Sequence, residues 1–259
     1  MLLAIDIGNS HITLGGYEGE TLRFMAHLVT ETRRTDDQYA IELKDIMMLY
    51  ELNANEIDGV IICSVVPEFC ATLKSAVYKV TGIKPMVLGP GIKTGLNILI
   101  DNPAQLGADL VAGAVSAISK FPLPCIIFDL GTATTISVID KNGNFIGGMI
   151  CAGVGITLEA LTTRTALLPH VSIEKPAAMI GKNSIDSMQS GLIIGTAAML
   201  DGMCDRIEKE LGAPASLVAT GGLAPVVVPN CNRDITLCEN LLLDGLKIIY
   251  NKNKKNFKG

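Results

Sequence analysis

The sequence has no tryptophan and only 4% aromatic residues, so it offers little with which to stack nucleic-acid bases. A formal net charge of −5 also opposes a phosphate backbone. The only basic cluster is the terminal run Lys252, Lys254, Lys255 and Lys258, which reads as a solvated, frayed end. No nucleic-acid partner is expected. The seven cysteines, at 63, 70, 125, 151, 204, 231 and 238, nowhere adopt Cys-x-x-Cys spacing. The three histidines, His11, His27 and His170, are isolated from one another. Neither a disulfide framework nor a zinc or histidine-based metal centre is suggested, and reduced thiols fit a cytoplasmic location. Met1 to Ile5 lead straight into a short apolar strand without the basic and long apolar regions of a secretory signal. No stretch approaches the roughly 20 apolar residues of a membrane-spanning helix, so no membrane partner is expected. Gly-Lys-Ser and Gly-Lys-Thr are absent too, which removes the Walker phosphate loop.

What is present is enough apolar sequence, 49% of residues against 18% charged, to bury a large core in one large or two ordinary domains. The opening reads as a β-meander: a strand Leu2 to Ile5, a turn Asp6 to Ser10, a strand Ile12 to Tyr17 and a strand Leu22 to Leu28. Thr35 and Gln38 have capping-box spacing, and Tyr39, Leu43, Ile46, Met47 and Tyr50 then recur at helical intervals, predicting a helix over 36–51. A buried strand Val60 to Cys63, a helix opened by Pro67, a short strand Met86 to Leu88 and a helix over about 104–119 follow. At Cys125 the meander begins again, with a strand Cys125 to Phe128, a turn Asp129 to Thr132, a strand through Val138 and another over 145–149. Helices over 155–165 and 187–210, a strand Ser216 to Ala219, a Gly-Gly turn and a last helix over 238–251 complete the pattern. Two prolines in Phe121 to Pro124 mark the natural break. The lobes are therefore placed at 1–118 and 119–259, and exchange of a terminal helix between them is compatible with the pattern.

The chemistry concentrates at the turns. In Asp6-Ile7-Gly8-Asn9-Ser10 a buried strand ends in a carboxylate, a glycine and small polar residues. Gly8 lets an anion approach the backbone, Asn9 and Ser10 add neutral donors, and Asp6 near a triphosphate requires a divalent cation, usually Mg²⁺ with its waters, between them. One such turn alone is also an ordinary Asx hairpin. The same order of apolar, Asp, apolar, Gly and polar residues recurs at Phe128-Asp129-Leu130-Gly131-Thr132, which suggests a duplicated domain. Two such loops supply the positioning and charge stabilisation that phosphoryl transfer needs. Gly221 and Gly222 in Ala219 to Pro225 leave room for a flat ring such as adenine, although a Gly-Gly turn is also simply a turn. Asp109, near a helix start, suits either dipole compensation or acceptance of a proton from an attacking alcohol.

In series, the motifs resemble the type III pantothenate kinases along nearly the whole chain. They are DIGNS, SVVP at 64–67, GPGIKTGLNI at 89–98, DNPAQLGAD at 101–109, DLGTATT, GGMI at 147–150, GKNS at 181–184, MQSG at 188–191 and ATGGLA. That family belongs with the acetate and sugar kinases, the heat-shock chaperones and actin. The resemblance implies an α/β fold of two ribonuclease H-like (actin-like ATPase) lobes, each a mixed β-sheet flanked by helices, with an ATP cleft between them. It implies phosphorylation of the 4′-hydroxyl of pantothenate, the first step towards coenzyme A, by a cytoplasmic homodimer.

Carried over by position, the resemblance assigns Asp6, Ile7, Gly8, Asn9, Ser10, His11, Ile12 and Thr13 to the ATP phosphates, with Asp6 on Mg²⁺ through water. Gly131, Thr132, Gly221 and Gly222 also fall to ATP. Asp129 is assigned to a monovalent cation, K⁺ or NH₄⁺, and Asp109 to the catalytic base. Pantothenate is assigned to Gly107, Ala108, Asp109 and Leu110, with Ile100 and Ser184. Three of the departures lie on the acceptor side: Leu110 stands where the family has Arg, Ile100 where it often has Tyr, and Ser184 where Thr is usual. Ala152 replaces a Pro. A guanidinium with fixed donors has thus become an aliphatic side chain. Another alcohol acceptor, or nucleotide binding without turnover, are the alternatives these changes raise.

Overall fold

Five of the six residues of β1 (Leu2–Ile7) are buried, as befits a strand paired on both sides. The computed structural model describes residues 1–256. In it β2 (His11–Glu18) pairs antiparallel with β1, and β3 (Thr21–Val29) antiparallel with β2. Thr35 caps α1 (Asp36–Leu49) through the capping box foreseen with Gln38. β4 (Gly59–Ser64) returns parallel to β1, Pro67 opens α2 (Pro67–Thr81), and β5 (Met86–Val87) pairs parallel with β4. This gives a five-stranded sheet ordered β3-β2-β1-β4-β5.

A second sheet begins with β6 (Asn97–Ile98), a two-residue strand with no periodicity to announce it. After α3 (Ala108–Lys120), the strands β7 (Cys125–Leu130), β8 (Ala133–Ile139) and β9 (Asn144–Ala152) repeat the antiparallel meander. The helices α4 (Val154–Arg164) and α5 (Ser184–Leu211) precede β10 (Ser216–Thr220), which pairs parallel with β7. A short helix α6 (Ala224–Val227), a strand β11 (Thr236–Leu237) beside β10, and α7 (Leu241–Asn253) close the chain. The order is β11-β10-β7-β8-β9-β6. Leaving β6 aside, it is the first sheet's order over again, with β7 in the place of β1 and β10 in the place of β4. The echo between the two Asp-x-Gly turns therefore extends to whole sheets.

The chain divides into two compact units. One comprises Met1–Gly95, Asn102–Ser116 and the stretch from Leu241 on; the other comprises Leu96–Asp101 and Ala117–Asn240. Each has its own apolar core, around Ile5, Ile62, Tyr39, Phe69 and Leu73 in the first and around Phe128, Ile136, Ile193, Leu200 and Ala219 in the second. Several boundaries differ from the sequence reading for visible reasons. Asp6 and Asp129 lie inside strands rather than in turns, because strands on both sides continue pairing through Ile7 and Leu130. Residues Pro103–Gln105 form a separate 3-10 turn, and extended Leu106 delays α3 to Ala108. Asn183 accepts a hydrogen bond from the Asp186 N–H (2.9 Å), so α5 starts at Ser184.

The tail is also better held than a frayed end. Asn253 is 3% exposed and exchanges hydrogen bonds with the Lys93 backbone, while Lys252 Nζ donates to the Thr94 carbonyl at 2.8 Å. Lys258 lies outside the described residues. A further fastening is polar: Tyr17 donates to Asp244 Oδ1 at 2.8 Å, and Lys247 Nζ sits 4.9 Å from the Tyr17 ring centroid and 2.7 Å from Glu20 Oε2. Buried charges need such partners. Tyr17→Phe withdraws one donor from the buried Asp244, and the expected cost is about 1–3 kcal/mol in urea unfolding with the fold retained.

Candidate active site

In the first unit the register of β1 fixes what surrounds Asp6. Its neighbours directly across the sheet are Thr13 on β2 and Cys63 on β4. Cys63 is fully buried at that position. Thr13 Oγ1 lies 3.2 Å from His27 Nδ1 on β3. The turn after β1 is braced by three bonds: Gly8 N–H to His11 O (2.9 Å), Thr30 Oγ1 to Gly8 O (2.8 Å) and Thr30 N–H to Ser10 O (2.9 Å). Asn9, Ser10 and His11 are exposed along this turn, whereas Ile7 and Ile12 are fully buried. Of those two, only the backbone is therefore available to an anion.

Asp109 is the second residue of α3. Its Oδ1 accepts from the Leu110 N–H at 2.8 Å, and burial holds its carboxyl above the ordinary carboxylate range despite hydrogen bonds to the N–H groups of Leu110 and of Asp109 itself. Burial, followed by the charges of Asp6 and Asp109, pushes the Cys63 thiol well above its usual value. Gly107 matters here through close approach, since a Cβ on it would stand 2.3 Å from Asp109 Oδ1. Ala108 and Leu110 are half-buried beside it.

In the second unit Asp129 occupies the place in β7 that Asp6 occupies in β1, opposite Thr135 and Thr220. Gly221 follows β10 with φ +92°, a left-handed conformation that suits glycine, and a Cβ there would lie 2.6 Å from Asp129 Oδ1. The Gly-Gly turn therefore packs directly onto the Asp129 loop, and the Leu223 N–H donates to Leu130 O at 3.2 Å. Gly131 belongs to this loop, and exposed Thr132 closes it. Ser184, exposed at the start of α5, and half-buried Ile100, two residues after β6, belong to this unit as well.

The full series of motifs has counterparts of known kind. The family model for type III pantothenate kinase matches residues 2–206. The chain belongs to the type III pantothenate kinases. The enzyme is 43% identical to the type III pantothenate kinase of Anaeromyxobacter dehalogenans (strain 2CP-C), over 98% of this chain and 100% of that one. It is 41% identical to that of Brevibacillus brevis, with the same coverage. Among solved structures it is similar to the activator of 2-hydroxyisocaproyl-CoA dehydratase from Clostridium difficile with bound ADPNP. The TM-score is 0.55 at 14% identity, covering 100% of this chain and 98% of the other. That likeness shows the fold, the two-lobed actin-like ATPase fold with ribonuclease H-like units.

The sequence reading did not single out Cys63, which the parallel register of β4 (Gly59–Ser64) sets opposite Asp6. Gly107→Ala is expected to displace the Asp109 carboxylate and lower kcat by about 100-fold with little change in the unfolding midpoint, measured by steady-state kinetics and thermal denaturation.

Proposed function

We infer that the protein transfers the γ-phosphoryl group of ATP to the 4′-hydroxyl of pantothenate, giving 4′-phosphopantothenate, the first step of coenzyme A biosynthesis. The observation that carries this reading is identity of about 40% to type III pantothenate kinases along the entire chain. ATP is the co-substrate. The alternatives suggested by Leu110 and Ile100, another alcohol acceptor or nucleotide binding without turnover, are not favoured by these relatives.

In this reading the turn Asp6 to Thr13 receives the nucleotide phosphates, together with Gly131, Thr132 and the Gly221-Gly222 turn. Gly107 to Leu110, Ile100 and Ser184 receive pantothenate. Among the described residues no group of three or more His, Cys, Asp or Glu side chains could hold a metal by itself. A divalent ion therefore takes most of its ligands from phosphate and water, which fits Mg²⁺ at Asp6. Bound there, it supplies neutralisation of the triphosphate charge. Asp129 Oδ1, packed against the backbone of Gly221, fits a monovalent cation, K⁺ or NH₄⁺. Asp109 accepts the hydroxyl proton as the oxygen attacks in line, and burial makes it a better base than an exposed carboxylate. Large apolar side chains exposed on the second unit, Ile150, Leu167, Met179 and Ile180, support a homodimer. A cytoplasmic location accords with the composition, and among the described residues no helix is long and apolar enough to cross a membrane.

Purified protein with ATP, Mg²⁺, K⁺ and pantothenate should release ADP only when pantothenate is present, and absence of that dependence contradicts the reading. Asp109→Asn should lower turnover by at least about 100-fold. The sign of its effect on stability follows from the raised pKa. Asp109 stabilises the fold when protonated, below its unfolded-state pKa, and that contribution is lost as pH rises through the folded-state value. At neutral pH the uncharged asparagine escapes the cost, so the variant should melt at or above the wild-type temperature. The acidic limb of kcat/KM should correspondingly lie above the ordinary carboxylate range. Leu110→Arg, which returns a charged donor to the acceptor site, is expected to lower the KM for pantothenate about ten- to a hundredfold.

A further inference from the structure

Asp6, Thr13 and His27 stand opposite one another on β1, β2 and β3. Their neighbours along each strand, Ile5 and Ile7, Ile12 and Leu14, Ala26 and Leu28, pack into the apolar core of the first unit. Alternate residues of a strand point to opposite faces, so the row of three lies on the face turned away from that core. On it Thr13 Oγ1 and His27 Nδ1 are 3.2 Å apart, within hydrogen-bond reach, and His27 is otherwise exposed. We propose that His27 is a positioning residue for the nucleotide: its Nδ1–H donates to Thr13 Oγ1 and leaves the Thr13 O–H free to donate to a phosphate oxygen. The inference rests on the assignment of Thr13 to the ATP phosphates.

A hydroxyl has one proton to give. With Nδ1 bare, Thr13 spends that proton on the imidazole, and a phosphate meets only an oxygen lone pair. With the proton on Nδ1, Thr13 accepts there and keeps its own proton for the anion, so a bound phosphate favours this second arrangement. The contact also holds Thr13 in one side-chain rotamer, which aims the hydroxyl before the ligand arrives. The chain just past β3 is tied to the phosphate turn as well, where Thr30 Oγ1 donates to Gly8 O at 2.8 Å and Thr30 N–H to Ser10 O at 2.9 Å. His27 thus sits on a strand whose place beside that turn is fixed. An exposed cross-strand pair adds little to the fold, so loss of this one is to be read in ligand binding rather than in melting.

The test titrates the Mg²⁺ complex of a non-hydrolysable ATP analogue calorimetrically into wild type, His27→Ala, His27→Asn, His27→Gln, Thr13→Val and the double variant of His27→Ala with Thr13→Val. Pantothenate is left out, and the thermal melting of each protein is recorded. Asparagine carries an amide N–H near the position of Nδ1, and glutamine carries one near that of Nε2. His27→Ala and His27→Gln should bind about fivefold more weakly and Thr13→Val about tenfold, while His27→Asn should stay within about twofold of wild type. The double variant should bind no more weakly than Thr13→Val alone, and the melting temperatures should not follow the affinities. Wild-type binding by His27→Ala overturns the proposal, as does an equal loss in His27→Asn, a His27→Ala loss that persists in the Thr13→Val background, or melting that falls in step with affinity. If Thr13→Val binds as wild type does, the Thr13 assignment fails and the His27 role with it; if Thr13→Val is weakened and His27→Ala is not, only the His27 role fails. With pantothenate absent, the identity of the acceptor does not enter the outcome.

Discussion

Desolvation of one carboxylate, Asp109 at the start of α3, is the constraint on which the proposed chemistry depends. A buried acid is costly to ionise, and a fold keeps it there only where another interaction compensates. Here the compensation comes from the backbone N–H groups of Leu110 and of Asp109 itself, which hydrogen-bond the carboxylate. Asp109 gains basicity from the same burial that makes its ionisation costly, so stability and function are opposed at one residue.

The rest of the architecture serves to present acids of this kind at strand ends. Because β1 is paired on both sides, Asp6 is held by a backbone that cannot rotate away, and the same holds for Asp129 in β7. Duplication of the sheet order has produced two such positions with different surroundings. Asp6 stands beside a thiol, while Asp129 lies against the backbone of Gly221, where any side chain would collide with it. The one repeated motif thus stands in two different chemical settings.

Much of this was legible in the residues. The strands of both meanders, the Thr35 and Gln38 capping box and the Pro67 helix start depend on neighbours a few positions away, and local patterns report them well. The repeated apolar-Asp-apolar-Gly order pointed to a duplication that the sheets share. What escaped depended on distant partners. β6 and β11 are two-residue strands that exist because another strand lies beside them, as the Asn97 Nδ2 to Asn144 Oδ1 bond of 2.7 Å illustrates. The tail is fixed by Asn253 meeting Lys93, a contact that periodicity does not contain. Cys63 was read as one more apolar residue of a buried strand, since only the parallel register places it opposite Asp6.

The central claim is that Asp109 takes the proton of the pantothenate 4′-hydroxyl. A crystal structure of the enzyme with pantothenate and a non-hydrolysable ATP analogue tests it most directly. The account places an Asp109 carboxylate oxygen about 2.6–3.2 Å from that hydroxyl, with the oxygen in line behind the terminal phosphorus. A hydroxyl bonded to a different acceptor, with Asp109 turned from it, would contradict the account.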